Sequence, residues 1–261
     1  MGSDSELQAL LSRPLAAVAP EVAGAIESGP IDPRQALSAD RPEGVIESGD
    51  EAAQTGWCLL ADGSAYTAVR TLMAGVSGRM LDWWFEWHAL HPLRYRIWYP
   101  RAHFDISVEL PEAPGAKPYW GAIHHPVEDI GLGRAHLRIA FCDPLEFGFP
   151  AAALERPEVA TVICGLVGDD RKRAWHTRIC HCALERPEGV ELRSRFWIGS
   201  ALGLYTRRGP AGAINRLLAT PLARRALIPR EAPLAMARHC AAEYANLAAL
   251  LPELYARYSG E

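Results

Sequence analysis

The strongest chemical signal in this chain is a histidine and a glutamate one helical turn apart near its end. His239-Cys240-Ala241-Ala242-Glu243 lies in an Ala- and Leu-rich run that reads as a helix. At about 100° per residue, His239 and Glu243 fall about 40° apart on one arc with Met236, Leu247, Leu250 and Leu254, while Arg238 lies off it. Both polar side chains are therefore expected to point inward, where each is costly unless paired or metal-bound. A hydrogen-bonded His/Glu pair and half of a metal site both satisfy that condition, and spacing alone does not favour the metal. Completing a site needs ligands from strands. His103 follows Tyr99-Pro100-Arg101-Ala102 and opens a strand run, and Glu128 sits in His124-His125-Pro126-Val127-Glu128-Asp129-Ile130-Gly131 just ahead of another. Two imidazoles and two carboxylates suit a borderline dication such as zinc. Taken singly, His103 also reads as a strand-end surface residue and Glu128 as part of a solvated acidic turn.

The remaining histidines and the cysteines have plainer readings. His88 and His91, at i, i+3, have the spacing of a metal half-site, but they flank an aromatic helix end and are expected instead to cap or pack. His124 and His125 are adjacent, so in an extended segment they point oppositely and at most one faces an interior. His136 and His176 belong to no constellation. Arg193 and Arg195 alternate with Ser194 and Phe196, and a solvated strand face is preferred over a paired internal arginine. Cys58, Cys142, Cys164, Cys180, Cys182 and Cys240 show no CxxC spacing and read as reduced core residues; a metal pair of Cys180 and Cys182 has no further support.

The elements that must position these residues follow from pattern. Residues 1–56 are expected to form an appendage, with a short helical pattern around Leu7 to Ala17 and then a Pro-, Gly- and acid-rich extended stretch from Ser28 to Glu51. Residues 57–261 form the main domain. Strands are predicted at Tyr66 to Leu72, Tyr95 to Tyr99, Phe104 to Leu110, Ala135 to Phe141 and Val159 to Leu166. A hairpin joins His176 to Leu184 with Val190 to Ile198 through Glu185-Arg186-Pro187-Glu188-Gly189. Arg79 to Leu90 is helix-like and carries Trp83, Trp84, Phe85 and Trp87, read as core or cavity wall. The last helix runs from Leu234 to about Leu251, where Pro252 disturbs it. A mostly antiparallel sheet curled around one long helix is an α+β arrangement that leaves a cavity between them.

Composition narrows the classes. The 261 residues, 49% hydrophobic and 22% charged, can bury a sizeable core. A formal net charge of −4 gives no basic field for a nucleic-acid backbone. No stretch approaches about 20 uninterrupted apolar residues, and MGSDSELQ is neither a secretory nor a myristoylation signal. No membrane partner is expected, and the cytoplasm is the expected compartment.

Beyond these bounds the sequence resembles a known family. Met80-Leu81-Asp82-Trp83-Trp84-Phe85-Glu86-Trp87-His88, continuing through Arg94-Tyr95 and Trp98 to His103, is similar to the diacetylphloroglucinol and phloretin hydrolases. So are Val127-Glu128-Asp129-Ile130-Gly131, Arg193-Ser194-Arg195-Phe196-Trp197 and His239-Cys240-Ala241-Ala242-Glu243-Tyr244, in the same order. The resemblance covers about Met73 to the C-terminus. It implies a helix-grip fold like that of the major birch-pollen allergen, a small helical N-terminal region, a homodimer and a zinc ion inside the cavity. Carried over residue by residue, it makes His103, Glu128, His239 and Glu243 the zinc ligands. It also turns Tyr95 and His181 toward the phenolic and carbonyl oxygens of a substrate. Ile106 replaces a cavity asparagine of that family, and Phe196 lies where a tyrosine hydroxyl is missing, so polar contacts are lost and an acyl-phenol other than diacetylphloroglucinol is open as substrate.

The implied reaction is hydrolysis of the carbon-carbon bond between an aromatic ring and an acyl group in a phenolic ketone. The alternatives are a non-enzymatic helix-grip protein that holds an aromatic or polyketide ligand, and a polyketide cyclase that needs no four-ligand metal site.

Overall fold

The computed structural model of the chain describes residues 4–47, 54–113, 115–206 and 211–260. Eight antiparallel strands form one sheet: β1 (Gly56–Leu59), β2 (Ala65–Ala74), β3 (His103–Glu109), β4 (Ile123–Glu128), β5 (Ala135–Cys142), β6 (Val159–Asp169), β7 (Ala174–Arg186) and β8 (Gly189–Leu204). Their spatial order is β1-β2-β8-β7-β6-β5-β4-β3. The hairpin predicted from the Pro-Glu-Gly turn is β7–β8, closed by the Arg186↔Gly189 pair. Gly189 has φ +152°, and a Cβ there would lie 2.2 Å from the Met73 carbonyl oxygen, so no larger residue fits the close approach of β2.

Period-two alternation gives the sheet two different faces. One face turns Val69, Met73, Ile179, Ala183, Phe196 and Ile198 toward the long C-terminal helix α9 (Ala232–Tyr258) and its buried Leu247, Leu250, Leu251 and Leu254. The other turns Tyr66, Cys180, Cys182 and Trp197 toward Val45, Ile46, Phe147 of the short helix α5 (Pro144–Phe147) and Phe149 ahead of α6 (Ala151–Leu154). Together these features make an α+β helix-grip fold. Helix α9 has 27 residues and is about 40 Å long. It continues through Pro252, beyond the expected end, because Leu254 and Tyr258 bury past the proline and outweigh a helix-interior cost of about 3 kcal/mol.

Three further expectations are corrected. Tyr95 to Tyr99 is not a strand; Pro92–Trp98 is a helix, α4, with Pro92 in its first turn and the His91 ring accepting from Leu93 N at 3.2 Å. That capping fits the predicted role of His91. Arg193 and Arg195 are not solvated, being 6% and 1% exposed. The N-terminal arm covers their face of the sheet, and Arg193 donates to Glu191 (2.6 Å) and to the carbonyls of Val45 (3.0 Å) and Glu47 (2.8 Å), while Arg195 donates to Gln54. Third, β1, β4 and the helices α7 (Ala211–Leu218) and α8 (Pro221–Leu227) had no predicted counterpart; in β4 the alternation is masked by two histidines and Pro126. The cysteines are free thiols, and all but Cys142 are buried.

The arm begins with α1 (Asp4–Leu10), which ends well short of the expected Ala17 because Pro14 disfavours helix before it, and with α2 (Pro20–Glu27), which had no predicted counterpart. The extended stretch after it is described as far as Glu47, and its residues 48–51 lie outside the described residues, as do residues 1–3. Leu7, Leu10 and Ile26 join the core around α9. Buried Asn246 ties the two together: its side-chain oxygen accepts from Ala16 N at 3.1 Å, and its amide donates to the Trp98 carbonyl at 2.8 Å. No helix among the described residues is long and apolar enough to cross a membrane.

Candidate metal centre and active site

Sheet and helix each bring one histidine and one carboxylate to a common point. The register of β3 and β4 sets His103 directly opposite Glu128, and the turn of α9 sets His239 above Glu243. None of the four residues is more than 9% exposed. Glu243 Oε2 lies 3.4 Å from His103 Nε2 and 3.5 Å from His239 Nε2, and Glu128 Oε2 is 3.9 Å from His103 Nε2. Donor atoms of His103, Glu128 and His239 lie within 4.8 Å of one another. Ligands bound tetrahedrally to zinc at about 2.0–2.2 Å are about 3.3–3.6 Å apart, so the spacing fits such an ion with little adjustment.

The hydrogen bonds around the cluster favour a cation more directly. His103 Nδ1 meets the Tyr95 carbonyl at 3.2 Å, and a carbonyl can only accept, so Nδ1 carries the proton. Nε2 is left buried, without a hydrogen bond, facing two carboxylates. A lone pair set against anions is repulsive unless a proton or metal ion lies between them. Orientation of a ligating imidazole by a carbonyl on its other nitrogen is the usual arrangement at metal sites. Tyr95 Oη donates to Glu128 Oε2 at 2.5 Å, and its ring stacks on His103 at 4.1 Å. Trp98 Nε1 donates to the Glu243 carbonyl oxygen at 3.1 Å.

Electrostatics points the same way. Burial alone would raise the Glu243 pKa, but His239 and His103 draw it down to about 2. Burial lowers His239, yet the charge and hydrogen bond of Glu243, with Glu128 and Asp129 behind it, raise it overall. Tyr95 is driven well above its ordinary value by burial and by the Glu128 carboxylate, so it remains a proton donor.

The cluster opens onto a cavity of about 150 Å³ between the sheet and α9. Larger recesses elsewhere are shallow and hold none of these residues. The cavity wall is largely apolar, with Ile106, Leu137, Ile139, Phe141 and Phe196. Trp84, Phe85 and Trp98 pack around it from α3 (Gly78–Trp87) and α4. His181 reaches it from β7, its Nδ1 2.8 Å from Ser194 Oγ and its ring against Tyr244 and Phe196. Burial, opposed by the charge of Glu243, pushes His181 down to about 4, so it is a neutral imidazole near pH 7.

Three cavity residues were missed from sequence, His88, His124 and His176. A signal existed for His124, which has the same strand parity as Glu128. His125 points away to Asp170 and Glu109, in keeping with the expected alternation.

Phloretin hydrolase of Eubacterium ramulus is 33% identical over 253 residues, covering 93% of this chain and 86% of that protein. A 2,4-diacetylphloroglucinol hydrolase of Pseudomonas protegens is 25% identical over 226 residues, covering 82% of this chain and 71% of its own length. Among solved structures, the Zhui aromatase/cyclase from Streptomyces sp. R1128 overlaps 75% of this chain and 98% of its own at 13% identity, with a TM-score of only 0.38. Residues 37–256 match the DAPG hydrolase PhiG domain, and with that span matched the chain belongs to the DAPG hydrolase family.

Proposed function

We propose that this chain is a zinc-dependent hydrolase that cleaves the carbon-carbon bond between an aromatic ring and an acyl group in a phenolic ketone. The observation that carries the reading is the buried, unbonded His103 Nε2 facing two carboxylates at the end of an aromatic-walled cavity. The substrate class is taken from the relatives named phloretin hydrolase and 2,4-diacetylphloroglucinol hydrolase. His103, Glu128, His239 and Glu243 would hold the ion, which when bound supplies a Lewis acid for an oxygen and can bring the pKa of water to about 7.

The substrate ring in its keto tautomer makes the acyl ketone a β-diketone. That tautomer already carries a hydrogen on the acyl-bearing ring carbon. Addition of water to the acyl carbonyl, followed by cleavage of the bond to the ring, therefore leaves the electron pair as a ring enolate, which is the aromatic phenolate, and protonation of its oxygen gives the phenol. His181 is neutral, and Ser194 holds one of its nitrogens, so the other is free to take the proton from water and pass it to the phenolate that leaves. Tyr95 keeps its proton and has one hydrogen to donate. In the resting arrangement Glu128 receives it, and we assign to Tyr95 a second arrangement in which the developing oxyanion receives it.

We assign the chemistry to residues 57–261 and treat residues 1–56 as an arm. A homodimer is the assembly we favour, supported by exposed Ile214, Leu217, Leu222 and Leu227 on α7 and α8. The cytoplasm is the compartment we favour, supported by six free thiols.

The deciding experiment is a product screen on acylated phloroglucinols, phloretin and simpler hydroxyaryl ketones, run with elemental analysis of the purified protein. The carboxylic acid and the deacylated phenol are expected in equal amounts, lost on chelation and restored by zinc. Full activity in metal-free protein refutes the zinc assignment, and no cleavage of any hydroxyaryl ketone by zinc-loaded protein refutes the reaction.

A further inference from the structure

His88 and His124 line the cavity but have no part in the proposed chemistry. They are 2% and 3% exposed, with ring centres 5.4 Å apart and planes at 76°. His88 Nδ1 lies 2.6 Å from the Trp84 carbonyl oxygen, which can only accept, so the proton is on Nδ1 and Nε2 presents a lone pair. His124 packs its ring on His88 and on Phe141, 4.7 Å away, and neither of its ring nitrogens is hydrogen-bonded to a described residue. Burial lowers both groups, His88 to about 3 and His124 well below its ordinary value, so each has one N–H and one lone pair. Neighbouring wall positions such as Ile139 and Phe141 offer no polar alternative. A buried polar side chain without a partner, set in the wall of a cavity, is expected to find its partner in the ligand.

We infer that His88 and His124 form a second polar subsite in the cavity, one that binds a phenolic hydroxyl of the substrate ring. A hydroxyl both donates and accepts, and this pair matches both functions: the phenol donates to His88 Nε2 and accepts from the N–H of His124. An ether or ketone oxygen cannot donate to His88, and an unsubstituted ring position does neither. Tyr95 packs 6.0 Å from His88 and 4.1 Å from His103, which sets the subsite one aromatic residue away from the four-residue cluster. The inference rests on the proposed reading in taking an aryl ring as the occupant.

The test compares 1,3,5-trihydroxybenzene with 1,3,5-trimethoxybenzene as ligands, by calorimetry, on the wild type and on His124→Phe, which keeps the ring contacts but removes both nitrogens. The wild type is expected to bind the trihydroxy ring at least about tenfold more tightly than the trimethoxy ring. His124→Phe should weaken the trihydroxy ring about tenfold and leave the trimethoxy ring unchanged; His124→Asn, with a donor and an acceptor, should recover most of the loss. In hydrolysis, His124→Phe should raise KM about tenfold with kcat within about twofold. Should Phe overfill the site and unfold the chain, His124→Leu serves in its place. Wild-type affinity for trihydroxybenzene in the folded variant overturns the subsite. Loss of hydroxyl preference in a protein that cleaves no hydroxyaryl ketone keeps the subsite and removes the reaction, whereas cleavage with unchanged KM does the reverse.

Discussion

Replacing Glu243 by Gln tests the centre of the site, because the amide preserves size and helical setting while removing the charge that a dication needs. In metal-free protein the Glu243 carboxylate is held at about 2 against an ordinary 4.5 by His239 and His103, despite its burial, a difference worth about 3 kcal/mol of stability. That contribution is complete above about pH 4.5 and is lost as pH falls through about 2. His239 is raised, so its share is complete below its ordinary 6.5 and is lost as pH rises through its higher folded value. With chelator present, the stability gap between wild type and Glu243→Gln is therefore expected to be widest at roughly pH 4.5 to 6.5 and to narrow on both sides. Zinc affinity should fall further than the about 10- to 100-fold typical of losing a residue that only orients a ligand, and hydrolysis should go with it. Glu253→Gln is the control: Glu253 pairs at 2.7 Å with Arg13 on an exposed surface, where such pairs contribute about 0–1 kcal/mol. Competition with a chromophoric chelator gives the affinity, and thermal unfolding with and without chelator gives the stability. Wild-type zinc affinity in Glu243→Gln would refute coordination and leave Glu243 as the ion-pair partner of His239.

His181→Ala should keep zinc while turnover falls about 10²- to 10⁴-fold; loss of zinc in that variant would mean that His181 is part of the metal site. Tyr95→Phe removes the hydrogen bond to Glu128 and should weaken zinc binding about 10- to 100-fold, and an unchanged affinity would show that Tyr95 does not orient the carboxylate. Arg193→Ala strands the carbonyls of Val45 and Glu47 and should cost about 3 kcal/mol, with faster proteolysis of the arm near residues 42–47. Protease resistance equal to wild type would show that the arm is held without Arg193.

The parts of this fold legible in sequence were those governed by local rules. The β7–β8 hairpin follows from Pro187, Glu188 and Gly189 between two strand patterns, and the inward arc of α9 follows from helical period. His239 and Glu243 could therefore be paired from sequence, whereas the junction of that pair with His103 and Glu128 depends on strand register and came only through family resemblance. Where tertiary contacts override local preference, the reading failed. Arg193 and Arg195 have the alternation of an outward strand face, and that face is outward; the arm that covers it arrives from about 150 residues earlier in the chain, as the Arg193 contact to Val45 shows. Tyr95 and Ile97 alternate like strand residues, but Pro92 and the ring of His91 begin a helix there. His124 was obscured by its neighbour His125 and by Pro126, although the parity it shares with Glu128 marks the face it occupies.

Asn246 lies one helical turn beyond Glu243 and holds both the arm, at Ala16, and the end of α4, at Trp98. Opening of the arm therefore removes a restraint on the same helix that carries His239 and Glu243. Equilibria that share a rigid element are linked reciprocally. If arm detachment loosens the metal ligands, a bound ion must favour the attached arm by the same free energy. Hydrogen exchange at Ala16 N, far from any substrate, then becomes a gauge of metal occupancy.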